Sequence, residues 1–400
     1  MSWKAYNPAW AYHEVMRAAA VRWHRRHLLT PAQQQAIGAA YPLDFYRPGL
    51  FQRIGLFIFT CIGALAGAGF GALFGAAAGI ESFGLWAAAC AVGGIAFLEF
   101  QIRNSRLYHA GPDNALLYIS LAWLYVLVVE IAETLATPPY YVSLSFGHQD
   151  FTLVLVPMLT LLVLAAIRYA DQPVTAAAYL TALLLAANLL VQVSVGRLLL
   201  PFVLMGLSAA AYTLVRRLTR RPDYPYYRRC LGWLKALTLT TFYLAGNYYV
   251  VREGNAWLSG ASTSSQIPLA PLFYLFTALI PVVYVVHALR RPADRTWLLL
   301  GLLTAAFSLF TLRYYRSVLP PEIAAVVGGA VLVGGAAWLA RYLRPARHGL
   351  TSLPSDEQRL YVNLESLVTA EAVAAPVASA APAFEFGGGQ SGGGGAEGTY

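Results

Sequence analysis

Charge is what this 400-residue chain has least of: Asp, Glu, Lys and Arg make up 12% of it, against about 25% in an average soluble domain. Cysteine is scarcer still. Cys61 and Cys90 lie in apolar runs and Cys230 at a charged edge, which excludes a disulfide scaffold and a CxxC metal site and leaves three small packing residues. The signatures of common enzymes are missing too: there is no Walker A loop, GxSxG elbow, HExxH helix or GxGxxG following a strand. The start lacks a compact basic, apolar and small-residue leader, and about 50 mostly polar residues precede the first apolar stretch, so the first span is expected to act as its own insertion signal.

What the chain does have is apolar length, with 58% hydrophobic residues. Crossing about 30 Å of hydrocarbon takes roughly 20 helical residues. Runs of that kind occupy 54 to 79, 83 to 100, 115 to 136, 151 to 168, 174 to 196, 198 to 216, 232 to 251, 268 to 290, 297 to 316 and 321 to 341. The expected fold is therefore all-α, a polytopic transmembrane helical bundle of about ten spans. The short connection at Gly196-Arg197 is the least distinct of the divisions.

Positive charge orients this bundle, because Lys and Arg collect in cytoplasmic loops. With the N-terminus inside, 24 of the 28 fall on the inner side and only Arg197, Arg252, Arg313 and Arg316 remain outside. An N-in/C-in bundle in a cytoplasmic membrane thus accounts for the net charge of +9 with no nucleic-acid partner.

Two polar regions flank the multi-pass domain, which runs from 54 to 341. In residues 1–53, Tyr12, Met16, Ala19 and Trp23 recur at helical spacing with Arg17, Arg25 and Arg26 elsewhere, which predicts a helix lying on an anionic leaflet. Thr30-Pro31-Ala32-Gln33 then predicts a capping box opening a short helix to about Ala40, which completes a hairpin. Residues 342–400 form an Ala/Pro/Gly-rich cytoplasmic tail, with one amphipathic helix expected over 355–370 and disorder from about 374.

The stretch WHRRHLLTPAQQQAIGAAY, followed by LFQRIGLFIFTCIGALAGAGFGALF, resembles uncharacterised bacterial multi-pass membrane proteins with a short N-terminal cytoplasmic helical hairpin. FTLRYYRSVLPPEIAAVVGGAVLVGGAAWLARYL looks like the last two spans of such proteins. The resemblance implies a bacterial inner-membrane setting and no particular chemistry.

Two features carry functional expectations. Gly63, Gly67, Gly71, Gly75 and Gly79 recur every four residues, a glycine zipper that lets another backbone approach closely. Its partner could be an internal helix such as the last span, a second copy of the chain or a pore wall. Ionisable and amide groups inside spans are costly and face protein or water. Glu130 and Glu133 lie one turn apart, Asn188 and Gln192 share a face, and Asn247 sits in the outer half of the seventh run. Together they are a candidate ion or proton site, with interhelical hydrogen bonding as the structural alternative.

The leading expectation is a non-enzymatic polytopic inner-membrane protein of structural or regulatory type, with lipid as its main partner, no cofactor and no metal. Self-association or a protein partner would engage the glycine-rich spans or the tail. The alternatives are an ion- or proton-coupled secondary transporter using Glu130 and Glu133, and a membrane-embedded transferase or hydrolase built around His148, Asp150, Arg313 and Glu322.

Overall fold

The computed structural model describes residues 3–77, 79, 82–135, 144–290 and 295–316, with isolated positions between 326 and 341. More than half of the tenth expected span lies outside these residues, as does the whole tail. Among the described residues the secondary structure is helical, with one isolated bridge between Tyr46 and Leu107.

Two short helices come first, α1 (Pro8–Arg25) and α2 (Pro31–Ala40). Asn7 caps α1, its side chain accepting from the Ala9 amide at 3.0 Å, and Pro8 needs no partner at the first helical position. Thr30 and Gln33 form the reciprocal capping box of α2, with bonds of 3.2 and 2.9 Å. The long helices follow: α3 (Leu50–Ala77), α4 (Phe83–Asn104), α5 (Pro112–Leu135), α6 (Gln149–Tyr169), α7 (Gln172–Val191), α8 (Gly196–Leu218) and α9 (Tyr224–Gly246). After the short α10 (Tyr248–Leu258) come α11 (Ala270–Arg290) and α12 (Arg295–Arg316). Eight of them, α3 to α8 with α11 and α12, are long and apolar enough to cross a membrane.

Sequence neighbours pair closely: α4 on α5, α6 on α7, α8 on α9 and α11 on α12. Small residues set the α4–α5 spacing. A Cβ on Gly94 would come within 2.4 Å of Ser120 Oγ, and one on Gly84 would sit 3.9 Å from the Glu130 Cβ, a register that runs antiparallel. The α7–α8 turn is tighter still. A Cβ on Gly196 would lie 1.6 Å from the Leu190 carbonyl oxygen, so glycine is obligatory there and the Gly196-Arg197 connection does separate two helices.

The run expected over 232 to 251 takes a different form. It is split between α9 and α10 at Asn247, whose side-chain oxygen accepts from the Tyr249 and Val250 amides at 3.0 and 3.3 Å. This N-cap starts a new helix where an unbroken span was expected. Helix α9 carries Arg228, Arg229 and Lys235 and is not among the eight apolar helices. It packs against α1, α7, α8, α10, α11 and α12, and a helix enclosed by protein can hold polar groups that lipid would reject.

At the opposite extreme, α3 has no buried residue and touches mainly α5. Among the described residues nothing lies within 4 Å of a Cβ added to Gly63 or Gly67, whereas the Trp86 indole of α4 is seated on Gly71. Gly75 falls in the last turns of α3, and Gly79 follows the helix with φ +76°, a left-handed turn position suited to glycine.

Candidate functional site

The N-terminal segment is fastened across one end of the bundle. The face of α1 turned inward carries Ala11, Ala19 and Ala20, while Tyr12 and Trp23 of the expected apolar stripe stay about half exposed. Small side chains let α1 approach the helix ends, which leaves the large amphipathic rings at its rim. Tyr6 and Trp10 enter a core shared with Leu98 and Ile102 of α4, Leu116 and Leu117 of α5 and Tyr226 of α9.

Polar bonds complete the attachment. Glu14 of α1 receives Arg47, from the segment before α3, at 2.7 Å, and also Arg229 from the second turn of α9. Burial would raise the Glu14 carboxyl, but Arg229 and then Arg47 outweigh it and hold it below the ordinary range. Lys4 pairs with Asp223 at 3.1 Å, and the Ala5 amide donates to the Arg168 carbonyl at 3.0 Å. Arg168 donates in turn to the Trp3 carbonyl at 2.9 Å and to Glu99 of α4 at 2.7 Å, closer than Arg103, which is 3.9 Å from the same carboxylate.

Beneath Tyr6 lie two buried carboxylates. Asp113, fully buried, accepts from the Ala110 and Gly111 amides at 2.9 and 3.0 Å and from the Tyr6 hydroxyl at 2.7 Å. Gly111, at φ +111°, is forced by the approach of the Arg53 carbonyl, 2.4 Å from where a Cβ would stand. Asp171 caps α7, accepting from the Val174 amide at 3.0 Å, from Asn114 at 2.6 Å and from Tyr118 at 3.1 Å. Burial raises the Asp171 carboxyl and lifts the Tyr6 hydroxyl well above its usual value, so Tyr6 remains a donor at neutral pH. His109 packs beside Tyr6, the rings tilted by 45° with centroids 4.9 Å apart, and has a left-handed backbone, φ 48°. Burial pushes its imidazole well below the usual range, helped by Arg229, Arg47 and Arg53.

The polar residues singled out from the sequence fall into separate places. Asn188, fully buried, accepts from the Gly147 amide at 2.7 Å and donates to the His148 carbonyl at 3.1 Å and to Thr152 at 3.0 Å. Gln192 reaches the His148 carbonyl at 3.3 Å and Thr152 at 3.5 Å, so these two amides share acceptors. Together they hold the segment entering α6. Asn247 belongs to another network, donating to Tyr243 at 2.9 Å and to Thr311 of α12 at 3.2 Å, while Tyr243 meets Ser308 at 2.7 Å. Among the described residues it has no hydrogen-bond partner in common with Asn188. Glu130 is half-buried against the first turn of α4 and Glu133 is exposed near the end of α5. His148 and Asp150 stand 3.9 Å apart, and Glu322 lies outside the described residues.

No family model, curated protein or solved structure matches this chain.

The chemistry of the site is therefore read from its geometry. Among the described residues no group of three His, Cys, Asp or Glu side chains is placed to hold a metal ion. Ser308, inside the bundle, bonds both across helices and back to its own turn, on the Thr277 and Thr304 carbonyls at 2.6 and 2.9 Å, whereas the buried Ser120 hydroxyl has no partner among the described residues. Tyr6, Glu14, Asp113 and Asp171 were not singled out in the sequence. A signal existed for two of them, since Gly-Pro-Asp at the start of α5 and Asp-Gln-Pro at the start of α7 are helix-start spellings. For Glu14 the signal was an acid set alone among the basic residues of α1.

Proposed function

We propose that this is a non-enzymatic, structural or regulatory protein of a bacterial inner membrane, in which the N-terminal hairpin is a cytoplasmic element latched onto a ten-span bundle. The observation that carries this reading is Glu14, one carboxylate of α1 gripped from two sides by Arg47 and Arg229. Such a contact joins the hairpin to the entry of the first span and to the central helix at once. The latch makes the hairpin's position depend on the arrangement of α9, and the position of α9 on the hairpin.

The intramembrane amides support the same reading, because each is engaged by neighbouring elements. One observation favours a transporter instead. The central helix is broken at Asn247, and interrupted helices line the binding sites of many transporters.

Purified protein screened for solute- and pH-dependent thermal stability separates the two readings, since a ligand that binds only the folded state stabilises it. The latch reading expects no small-ion response that depends on Glu130, Glu133 or Asn247. A saturable stabilisation by one ion, abolished by Glu130→Gln or Asn247→Ala, would establish transport chemistry in its place. Reporter fusions after the third and fifth spans, both expected outside, check the topology.

A further inference from the structure

The latch brings more positive charge to one place than the structure neutralises there. Glu14 fixes the second turn of α9 beside α1, and Arg228 sits next to the latched Arg229. Two turns beyond Glu14 on α1 stands Arg22, half-buried, near enough to Arg228 and Arg26 for their like charges, after burial, to push its guanidinium below the ordinary range. Glu14 is already taken by Arg47 and Arg229. Among the described residues neither Arg22 nor Arg228 has a carboxylate within salt-bridge distance. Two arginines from separate elements converge, and an anion between them would remove their repulsion.

We propose that Arg22 of α1 and Arg228 of α9 form a binding site for the phosphate headgroup of an anionic phospholipid. The placement favours lipid over a free anion. Helix α1 lies across the ends of the spans, at the level where headgroups stand, and its rim exposes Tyr12 and Trp23, with Leu28 just beyond at 67% exposure. Aromatic and aliphatic side chains beside a cationic pocket suit a molecule with acyl chains below its phosphate. A bound headgroup would tie α1 to α9 from outside as Glu14 does from within. The site rests on the latch reading, because it exists only while α1 is docked.

The test is a thermal-shift titration of the full chain in neutral detergent with phosphatidylglycerol, phosphatidylcholine or inorganic phosphate. The expected result is saturable stabilisation by phosphatidylglycerol alone. Its half-saturating concentration should rise about 30-fold in R22Q/R228Q, by the usual loss per cation at an anionic surface, and stay unchanged in R197Q at the far end of α8. Equal stabilisation by phosphatidylcholine, equal stabilisation by inorganic phosphate, or an unchanged titration in R22Q/R228Q would each overturn the lipid site. Hydrogen exchange over α1 in the same samples keeps the readings apart: protection without a phosphatidylglycerol response overturns the lipid site alone, and loss of protection in the wild type overturns the latch as well.

Discussion

Replacing Glu14 by glutamine preserves the side chain's length and removes the charge that holds Arg47 and Arg229 together. Both contacts are charge-assisted, a type worth about 1.5–3 kcal/mol each when well shielded. Shielding here is partial, since the Glu14 side chain is 29% exposed and that of Arg229 34%. Glutamine also keeps one neutral acceptor. A net loss of about 2 kcal/mol in hairpin docking follows, equivalent to a roughly 30-fold rise in the undocked population. Hydrogen exchange at the amides of α1 should quicken by that factor while α11, remote from the hairpin, keeps its protection. Arg229→Gln should cost less in the Glu14→Gln background than in the wild type, the double-mutant cycle closing at about 1 kcal/mol of coupling. Unchanged exchange over α1, or strict additivity of the two substitutions, would refute the clamp.

Acid should loosen the same region in two steps. His109 is held below its ordinary value, so the unfolded chain binds the extra proton first; its contribution is present above about pH 6.5 and is lost as pH falls through that value. Glu14 is also depressed, and its contribution, complete above about pH 4.5, is lost progressively as pH falls below that value. Thermal midpoints recorded from pH 8 to about 3 should show both declines, and His109→Gln should erase the upper one. Gly196→Ala should cost about 3 kcal/mol and lower the folded yield, because its Cβ would collide with the Leu190 carbonyl, whereas Gly206→Ala, with nothing within 4 Å, should be neutral by the same thermal assay. Asn188→Leu strands the Gly147 amide and should cost about 1–2 kcal/mol, with faster proteolysis between Leu144 and His148; equal cleavage rates would count against that role.

Much of the helical layout is legible in residue order. Apolar runs of spanning length mark α3 to α8 and α11 to α12 without reference to any partner, and the Thr30 and Gln33 spelling marks α2 because a capping box is closed by neighbours three residues apart. The candidate sites were less legible. Asn188 and Gln192 could be paired in advance because one helical turn puts them on a common face, but their acceptors, 36 to 44 residues away, could not. The break at Asn247 looks apolar on both sides in sequence, and only the enclosure of α9 by its neighbours makes an N-cap in mid-bundle affordable.

By itself, then, the sequence determined an all-helical membrane protein with a capped hairpin before its first span, since hydropathy, capping and turn chemistry act over a few residues. Only the tertiary structure decided which charges meet. Glu14 finds Arg229 across 215 positions and Tyr6 finds Asp113 across 107, contacts that exist because packing brings distant helix ends to one surface. Among the described residues the same packing left open space beside Gly63 and Gly67 and placed the most polar long helix at the centre. Local chemistry writes the elements, but burial, a property of the whole assembly, chooses which polar groups become a latch.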